Sequence, residues 1–514
     1  MSFTQRPRSQ FGTRFAFATG HHRASWAAIQ TMQRGGGLVD AAIAASAVLT
    51  VALPHATSLG GCGMLLYRDA VSGGLWALNG SGRAPLAADP ALFETGMPRR
   101  GARAWVTPTL VRCWARAHER FGRLPWATLF DEAIDCATDG GVVAEELARN
   151  LAGADAQLLK QAGFAQAFLP GGQPLRCGER FAQPRIAEVL RIIAAQGENG
   201  FYRGPVAASL LDFARAQDGL LSADDFAAAQ ADWSAPRSQR FDGRSVHVMP
   251  PNSVGVLMLA QLAAAARLPR TAGDDEALLT VQRIRIAAEV IGRLKNEIGD
   301  PEHGAVDPTL LESGHLDRAP VSPASVRVEP GDTSGIVAID AQGNALAMLQ
   351  SVFQPFGSGC VDPGTGILMN NRAFDFSTEP GSVNCIAPGK RPSHTLNPYL
   401  VQQADGCWLA GVSPGGVSQT TTGVQVLAAC ADPGVPLGEV VARPRWSLSR
   451  DGEVLLEAGL SPAVAESLRQ HGMAVVENSM HEFYFGSAKL ARQTPAGFIE
   501  AAADARRQAV AFAC

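Results

Sequence analysis

Thr333 stands where a threonine could act as a nucleophile. It follows a loop-like stretch, residues 301–331, that mixes Pro, Ser, Gly and charged residues, and it opens the segment TSGIVAID. A threonine at a newly formed N-terminus can catalyse unaided, because its α-amine has a pKa near neutrality and can take the hydroxyl proton. That amine must first be released, and the hydroxyl could do this by attacking the preceding carbonyl in an N-to-O acyl shift. Taken alone, the same pattern also fits an ordinary strand threonine.

The composition is that of a globular protein with ample core material. Of 514 residues, 46% are hydrophobic and 18% are charged, and the formal net charge is −4. This balance does not favour nucleic-acid or membrane-surface partners. The HExxH and GxxxxGK[ST] motifs do not occur in the sequence. Nine widely spaced cysteines without a CxxC pair, and an N-terminus without an apolar h-region, predict reduced thiols and a cytoplasmic location.

The elements around Thr333 are predicted from periodicity and from turn residues. Ala-rich runs broken by three glycines over 24–51 predict a helix–turn–helix, and 63–80 predicts two strands joined by a turn. Residues 108–220 are mostly helical in pattern. Further helices are predicted over 275–297, 417–432 and 462–471. From position 332 a strand, a Gly-Asn turn and a second strand predict a β-hairpin, so layered α and β elements with central sheets are expected.

Ordered motifs along nearly the whole chain carry a family resemblance. They are RGGGLVDAAIAASAVLTVALPHATSLGGCG (34–63), AHERFGRLPWATLFDEAI (117–134), NGFYRGPVA (199–207), GLLSADDFAA (219–228), VHVMPPNSVG (246–255), GNALAMLQSVFQPFGSG (343–359), PGTGILMNNRAFDFS (363–377), KRPSHTLNP (390–398) and SPGGVSQ (413–419). In this order they resemble the gamma-glutamyltransferase family of N-terminal-nucleophile hydrolases. The resemblance implies a four-layer αββα sandwich and a precursor that cuts itself. The two products would be a large subunit, 1–332, and a small subunit, 333–514, which stay together as one compact unit.

The resemblance also places the catalytic groups. The family's processing site falls on Asp332-Thr333, which makes Thr333 the nucleophile, and its second hydroxyl, which binds the nucleophile, falls on Ser351. The family's oxyanion hole falls on Gly415 and Gly416. Glycines suit that role because they let backbone N–H groups approach a developing oxyanion closely.

The substrate pocket departs from the family pattern. Asp375 matches the family's carboxylate for the substrate ammonium group. His394 and Thr395 stand where two hydroxyl residues usually hold the substrate carboxylate. Arg372 replaces a Gln, and Phe353 replaces an Asn.

The family's carboxylate-clamping arginine is also missing. The family stretch D-x-R-E-x-x-P reads here NGSGRAP, residues 79–85, which puts Ser81 at the arginine position. Loss of a bidentate contact is expected to weaken recognition of a free glutamate end. Arg83 and Arg372 are the candidate replacements.

The resulting function is an N-terminal-threonine amide hydrolase or acyltransferase without a cofactor or metal. Its expected partner is a small-molecule amide, with gamma-glutamyl (glutathione-type) amides as the first expectation. Oxamate or a glutaryl (cephalosporin) amide is the alternative. An unprocessed, non-catalytic binding protein on the same fold is the second alternative. Neither nucleic acid nor membrane is expected as a partner, and the oligomeric state beyond the two subunits stays open.

Overall fold

The computed structural model describes residues 8–268, 276–304, 326, 328–329, 331–480 and 482–514. Most of the predicted linker, residues 301–331, lies outside the described residues. Within the described part of the chain, no helix is both long and apolar enough to cross a membrane.

Two seven-stranded antiparallel sheets form the centre of the described structure. In spatial order, the first contains β1 (Gln10–Gly12), β18 (Ile499–Ala503), β17 (Lys489–Gln493), β13 (Trp408–Val412), β12 (Tyr399–Gln402), β9 (Arg244–Val248) and β8 (Arg237–Phe241). The second contains β19 (Val510–Ala513), β2 (Phe15–Thr19), β10 (Asp332–Asp340), β11 (Ala345–Phe353), β3 (Cys62–Arg68), β4 (Leu75–Gly80) and β7 (Asp232–Ser234). The smaller sheets combine β14 (Trp446–Leu448), β15 (Val454–Leu456) and β16 (Val475–Val476), and β5 (Gly141–Val142) with β6 (Arg180–Phe181).

Helices cover the outer faces of both large sheets and pack against the smaller three-stranded sheet. In chain order they are α1 (His22–Gln33), α2 (Leu38–Ala52), α3 (Leu110–Phe121), α4 (Asp131–Asp139), α5 (Glu145–Ala152), α6 (Ala156–Leu159), α7 (Phe164–Phe168), α8 (Pro184–Gln196), α9 (Asn199–Tyr202), α10 (Gly204–Ala216), α11 (Ala223–Ala227), α12 (Gly255–Ala265), α13 (Glu276–Leu294), α14 (Ser418–Ala429), α15 (Leu437–Ala442), α16 (Pro462–Gln470) and α17 (Glu482–Phe485).

The alternation of side chains along the strands produces four layers. On β10, Ile336 and Ala338 pack into the core formed with α1 and α2, whereas Val337 and Ile339 pack between the two sheets. Successive side chains on a strand point to opposite faces, so a strand that is apolar on both faces must be covered on both. The other sheet packs its outer face against α12, α14 and α15. The predicted αββα sandwich is therefore confirmed.

The predicted hairpin at Thr333 is β10 and β11, which pair in antiparallel register. The predicted helices and the 63–80 strand pair also occur, close to the expected bounds. Both large sheets combine strands from before and after position 333. Two polypeptides cut at that point would thus share both sheets, although the division into 1–332 and 333–514 itself stays a prediction.

Candidate active site

Thr333 lies at an irregularity in the pairing of the central hairpin. Asp332 pairs with Phe353 and Ser334 with Gln350, so β11 carries one extra residue opposite Thr333. Bulges of this kind re-aim side chains and are common beside active sites. Thr333 Oγ1 donates a hydrogen bond of 2.7 Å to the carbonyl oxygen of Asp332. This carbonyl belongs to the peptide bond that Thr333 is predicted to cleave.

In the uncut chain Ser351 contacts the same carbonyl, and its contact with the Thr333 hydroxyl stays a prediction. Its Oγ donates to the Asp332 oxygen at 2.7 Å and accepts from the Phe353 N–H at 2.7 Å. The extra residue in β11 explains this, because it turns Ser351 toward the preceding peptide. Two hydroxyl groups thus donate to one carbonyl oxygen, which polarises its carbon toward nucleophilic attack.

Gly415 and Gly416 form a turn before α14 that only glycines adopt readily, with φ of +129° and +60°. The backbone preceding Thr333 lies against this turn. A methyl group placed on Gly416 would lie 2.8 Å from the Glu329 carbonyl oxygen, and one placed on Gly331 would lie 3.0 Å from Gly416 Cα. In the uncut chain, residues 329 and 331 therefore cover the predicted oxyanion hole.

A buried charged cluster lies on the other side of the same peptide bond. Asp332 Oδ1 accepts the Thr333 N–H at 2.8 Å and binds Arg507 Nη1 at 2.5 Å. The same Arg507 nitrogen lies 3.2 Å from Glu146 Oε1. His55 Nε2 lies 3.5 Å from Glu146 and 3.7 Å from Asp332 Oδ2.

Charge pairing sets the protonation states in this cluster. Burial opposes ionisation of Glu146, but Arg507 and His55 outweigh it and hold the pKa of Glu146 at about 2. Lys489, also buried, has its pKa lowered to about 8, by burial first and then by the charge of Arg507. Sequence reasoning missed His55, Glu146, Lys489 and Arg507. His55 falls inside the quoted 34–63 motif, which was the available signal, whereas the other three stand in no motif and meet only in the fold.

Arg372 is a fully buried arginine that contacts Phe353, the residue that pairs with Asp332 across the hairpin. Its guanidinium carbon lies 4.0 Å from the ring centre of Phe353, and Nη1 donates to Thr395 Oγ1 at 3.1 Å. The Cys62 thiol lies beside the group, and Cys62 pairs with Ser351 across the sheet. Among the described residues, Nε and Nη2 of Arg372 have no hydrogen-bond partner. Burial lowers the pKa of Arg372, opposed by Cys62 and Asp375.

His394 and Asp375 complete the predicted pocket. His394 Nε2 lies 3.1 Å from the Cys62 sulfur, and burial followed by the Arg372 charge holds the pKa of His394 well below its ordinary value. The imidazole is therefore neutral. Burial raises the pKa of Asp375, against the charges of Lys295 and Arg372. Its Oδ2 has no hydrogen-bond partner in the described part of the chain.

Arg83 does not join this pocket. It donates to Glu302 at 2.7 Å and to the Gly389 carbonyl at 3.0 Å. Ser81, at the family's arginine position, is buried and hydrogen-bonded to Asn79 at 2.7 Å. Of the two candidate replacements for the missing clamp, Arg372 is the one that contacts the predicted pocket residue Thr395.

Four features together define the class of N-terminal-nucleophile hydrolases. They are an αββα sandwich, a threonine at the start of a strand, paired hydroxyl donors and a glycine turn. Residues 24–514 match the family model described as Gamma-glutamyltranspeptidase. The chain belongs to this family, and it is an enzyme of the amide-bond hydrolase and acyltransferase type.

Proteins that are similar to this chain carry different substrate names. The chain is 33% identical over 513 residues to an oxamate amidohydrolase proenzyme from Klebsiella pneumoniae, covering 96% of this chain and 97% of the relative. It is 29% identical over 526 residues to the glutathione hydrolase-like YwrD proenzyme of Bacillus subtilis, covering 97% and 98%. The crystal structure of cephalosporin acylase from Bacillus halodurans superposes with a TM-score of 0.90 at 27% identity, covering 100% of this chain and 98% of the other.

Proposed function

We propose that this chain is a precursor that cuts itself between Asp332 and Thr333, and then hydrolyses the amide of a small acid whose carboxylate lies close to the reacting carbonyl. Oxamate is the simplest such compound, and a relative named for it is similar over the whole chain. The observation that carries the choice of substrate is Arg372, a completely buried guanidinium with two N–H-bearing nitrogens that have no partner among the described residues.

The argument for a carboxylate rests on the cost of burying charge. A buried cation is stabilised only when it is paired and its hydrogen-bond donors are satisfied. Arg372 has one side-chain hydrogen bond, an aromatic face and the neighbouring Cys62 and Asp375, but Nε and Nη2 have no hydrogen-bond partner among the described residues, so an anionic ligand would satisfy them. A planar carboxylate matches the geometry of a guanidinium.

The proposal involves two reactions, self-cleavage and hydrolysis of the substrate. In the first, Thr333 Oγ attacks the Asp332 carbonyl carbon, the C–N bond breaks as the nitrogen gains a proton, and water hydrolyses the resulting ester. In the second, the freed α-amine takes the Thr333 hydroxyl proton, Oγ attacks the substrate amide, and backbone N–H groups of Gly415 and Gly416 hold the oxyanion. The substrate nitrogen leaves with a proton, and water or an acceptor amine resolves the acyl-enzyme.

Gamma-glutamyl amides are a second candidate, which Asp375 favours. Its Oδ2 has no partner among the described residues, and a substrate ammonium group would supply one. Two features disfavour this candidate. Position 81 holds a serine instead of the family's arginine, and Arg83 is paired with Glu302.

Intact-mass analysis and a substrate panel test the proposal. We expect wild type to give two fragments, one beginning at Thr333, and Thr333→Ala to stay whole. Processed enzyme should release ammonia from oxamate faster than it cleaves gamma-glutamyl or glutaryl anilides. The reverse order would reject the oxamate-type substrate but keep the catalyst. A folded wild type that stays whole would instead support the non-catalytic alternative.

A further inference from the structure

The charged cluster behind Thr333 gathers residues that are distant in the sequence. Asp332 begins β10, His55 follows α2, Glu146 lies in α5, and Arg507 lies in the turn between β18 and β19. Lys489, at the start of β17, contributes to the same electrostatic environment. All five side chains are buried. No step proposed above uses the cluster, yet one of its members forms the bond to be cut.

A cation site is the first alternative, and the charges argue against it. Ligand atoms of His55, Glu146 and Asp332 lie within 4.8 Å of one another, which is a spacing that a metal ion could use. However, one Arg507 nitrogen contacts both carboxylates, at 2.5 and 3.2 Å. A guanidinium already supplies the positive charge that a metal would bring, and Lys489 adds to it.

The geometry connects the cluster directly to the scissile peptide. Asp332 Oδ1 accepts both the Arg507 hydrogen bond and the Thr333 N–H. The carbonyl oxygen of Asp332 accepts the hydroxyl groups of Thr333 and Ser351. The side chain of Asp332 is thus held by Arg507, and its carbonyl group is held by the two hydroxyl groups. Such orientation of reacting groups contributes strongly to the rate of a reaction.

We propose that Arg507 is a positioning residue for self-cleavage. By holding the Asp332 carboxylate, it fixes the Asp332–Thr333 peptide so that Thr333 Oγ1 stays beside the carbonyl carbon that it attacks. The inference rests on the proposed cleavage before Thr333.

Self-cleavage of freshly synthesised full-length chain tests this role without any substrate. The chain is made in a cell-free reaction, synthesis is stopped, and intact mass is followed over time. We expect Arg507→Met to cleave about tenfold to a hundredfold more slowly than wild type, the range that a hydrogen bond between buried charged groups contributes. Arg507→Lys, which keeps the charge, should recover part of the rate.

The matched control is Arg492→Met. Arg492 is similarly buried and pairs with Glu500 at 2.7 Å, within the other sheet. The Arg492→Met substitution removes a comparable ion pair that lies far from Thr333, so self-cleavage should proceed at the wild-type rate. Thermal unfolding of each variant in a Thr333→Ala background separates loss of fold from loss of cleavage.

A double-mutant cycle keeps the test decisive if Arg507→Met folds poorly. Asp332→Asn keeps the shape of the side chain but removes its charge. If the two residues act through one contact, the combined variant should cleave no more slowly than the slower single variant. Wild-type rates in folded Arg507→Met, or additive effects in the cycle, would overturn the role of Arg507. An uncut wild type would overturn the proposed function as well.

Discussion

Replacing Arg372 by Met should stabilise the protein while reducing its activity on carboxylate-bearing amides. A buried ion incurs an effective desolvation penalty of several kcal/mol, and apolar replacement of buried ionic groups often stabilises by about 1–4 kcal/mol. Against that penalty Arg372 has one charged hydrogen bond, worth about 1.5–3 kcal/mol, one cation–π contact, worth about 2 kcal/mol, and the attraction of Cys62 and Asp375, which together place the gain at the low end of that range. We therefore expect Arg372→Met to gain about 1–2 kcal/mol.

The expected gain in the free energy of unfolding can be measured as a shift in the unfolding temperature. With an unfolding entropy of about 2.1 cal/mol/K per residue, a chain of 514 residues shifts its Tm by about 1 °C per kcal/mol. Arg372→Met should thus raise the Tm by about 1–2 °C in a Thr333→Ala background, where every chain stays whole. Arg83→Met is the control, and it should lower the Tm because Arg83 is paired with Glu302.

The same substitution should abolish stabilisation by ligand in the processed enzyme. A ligand at one hundred times its Kd stabilises by about 2.7 kcal/mol, so saturating oxamate should raise the Tm of processed wild type by about 2–3 °C. Arg372→Met should not respond, and its kcat/KM on oxamate should fall at least about tenfold. A clearly lower Tm for the uncut variant would show that the guanidinium has a structural role, and would refute the argument from unpaired buried charge.

Three further predictions concern cleavage and pH. Ser351→Ala should slow self-cleavage by about 10²–10³-fold, since it removes one donor to the Asp332 carbonyl, and the uncut fraction on a gel measures this. Gly416→Ala should also leave more chain uncut, because its methyl group would lie 2.8 Å from the Glu329 oxygen at a positive φ; full cleavage would contradict this. The pKa of Lys489 is lowered to about 8 in the fold, so the unfolded chain binds more protons between about pH 8 and 10.5. Over that window, wild type should therefore gain stability relative to Lys489→Met by up to about 3 kcal/mol in denaturant unfolding, and a pH-independent difference would reject the lowered pKa.

The elements beside Thr333 could be predicted because their signals are local. Runs of alanine and aliphatic residues stopped by Gly and Pro predict α2 and its neighbour, and the Gly343-Asn344 turn predicts the pairing of β10 with β11. The short strands β1 and β2 were not predicted. Phe15–Thr19 is only five residues and is buried on both faces, so it carries no alternation.

The reacting groups could be placed only through the family resemblance, and their partners could not be placed at all. Arg507 reaches Asp332 across 175 residues and Glu146 across 361. An ion pair between residues so far apart produces no periodic pattern in the sequence. The sequence alone also does not distinguish a buried arginine from an exposed one. The contact of Ser351 was also beyond the sequence, because it depends on one extra residue in β11.

Cleavage before Thr333 would change two features of the site at once, which explains why the uncut chain should be inactive on substrates. In that chain the nitrogen of Thr333 is an amide that donates to Asp332, so it cannot serve as a base. The backbone at residues 329 and 331 also packs on Gly416, where the substrate oxyanion should bind. A single broken bond would create the amine and give the segment that packs on the glycine turn a free end. Self-cleavage, by contrast, needs neither feature, because Ser351 holds the Asp332 carbonyl outside the glycine turn. In this proposal the two reactions use different oxyanion partners around one threonine, Ser351 in self-cleavage and the glycine turn in substrate hydrolysis.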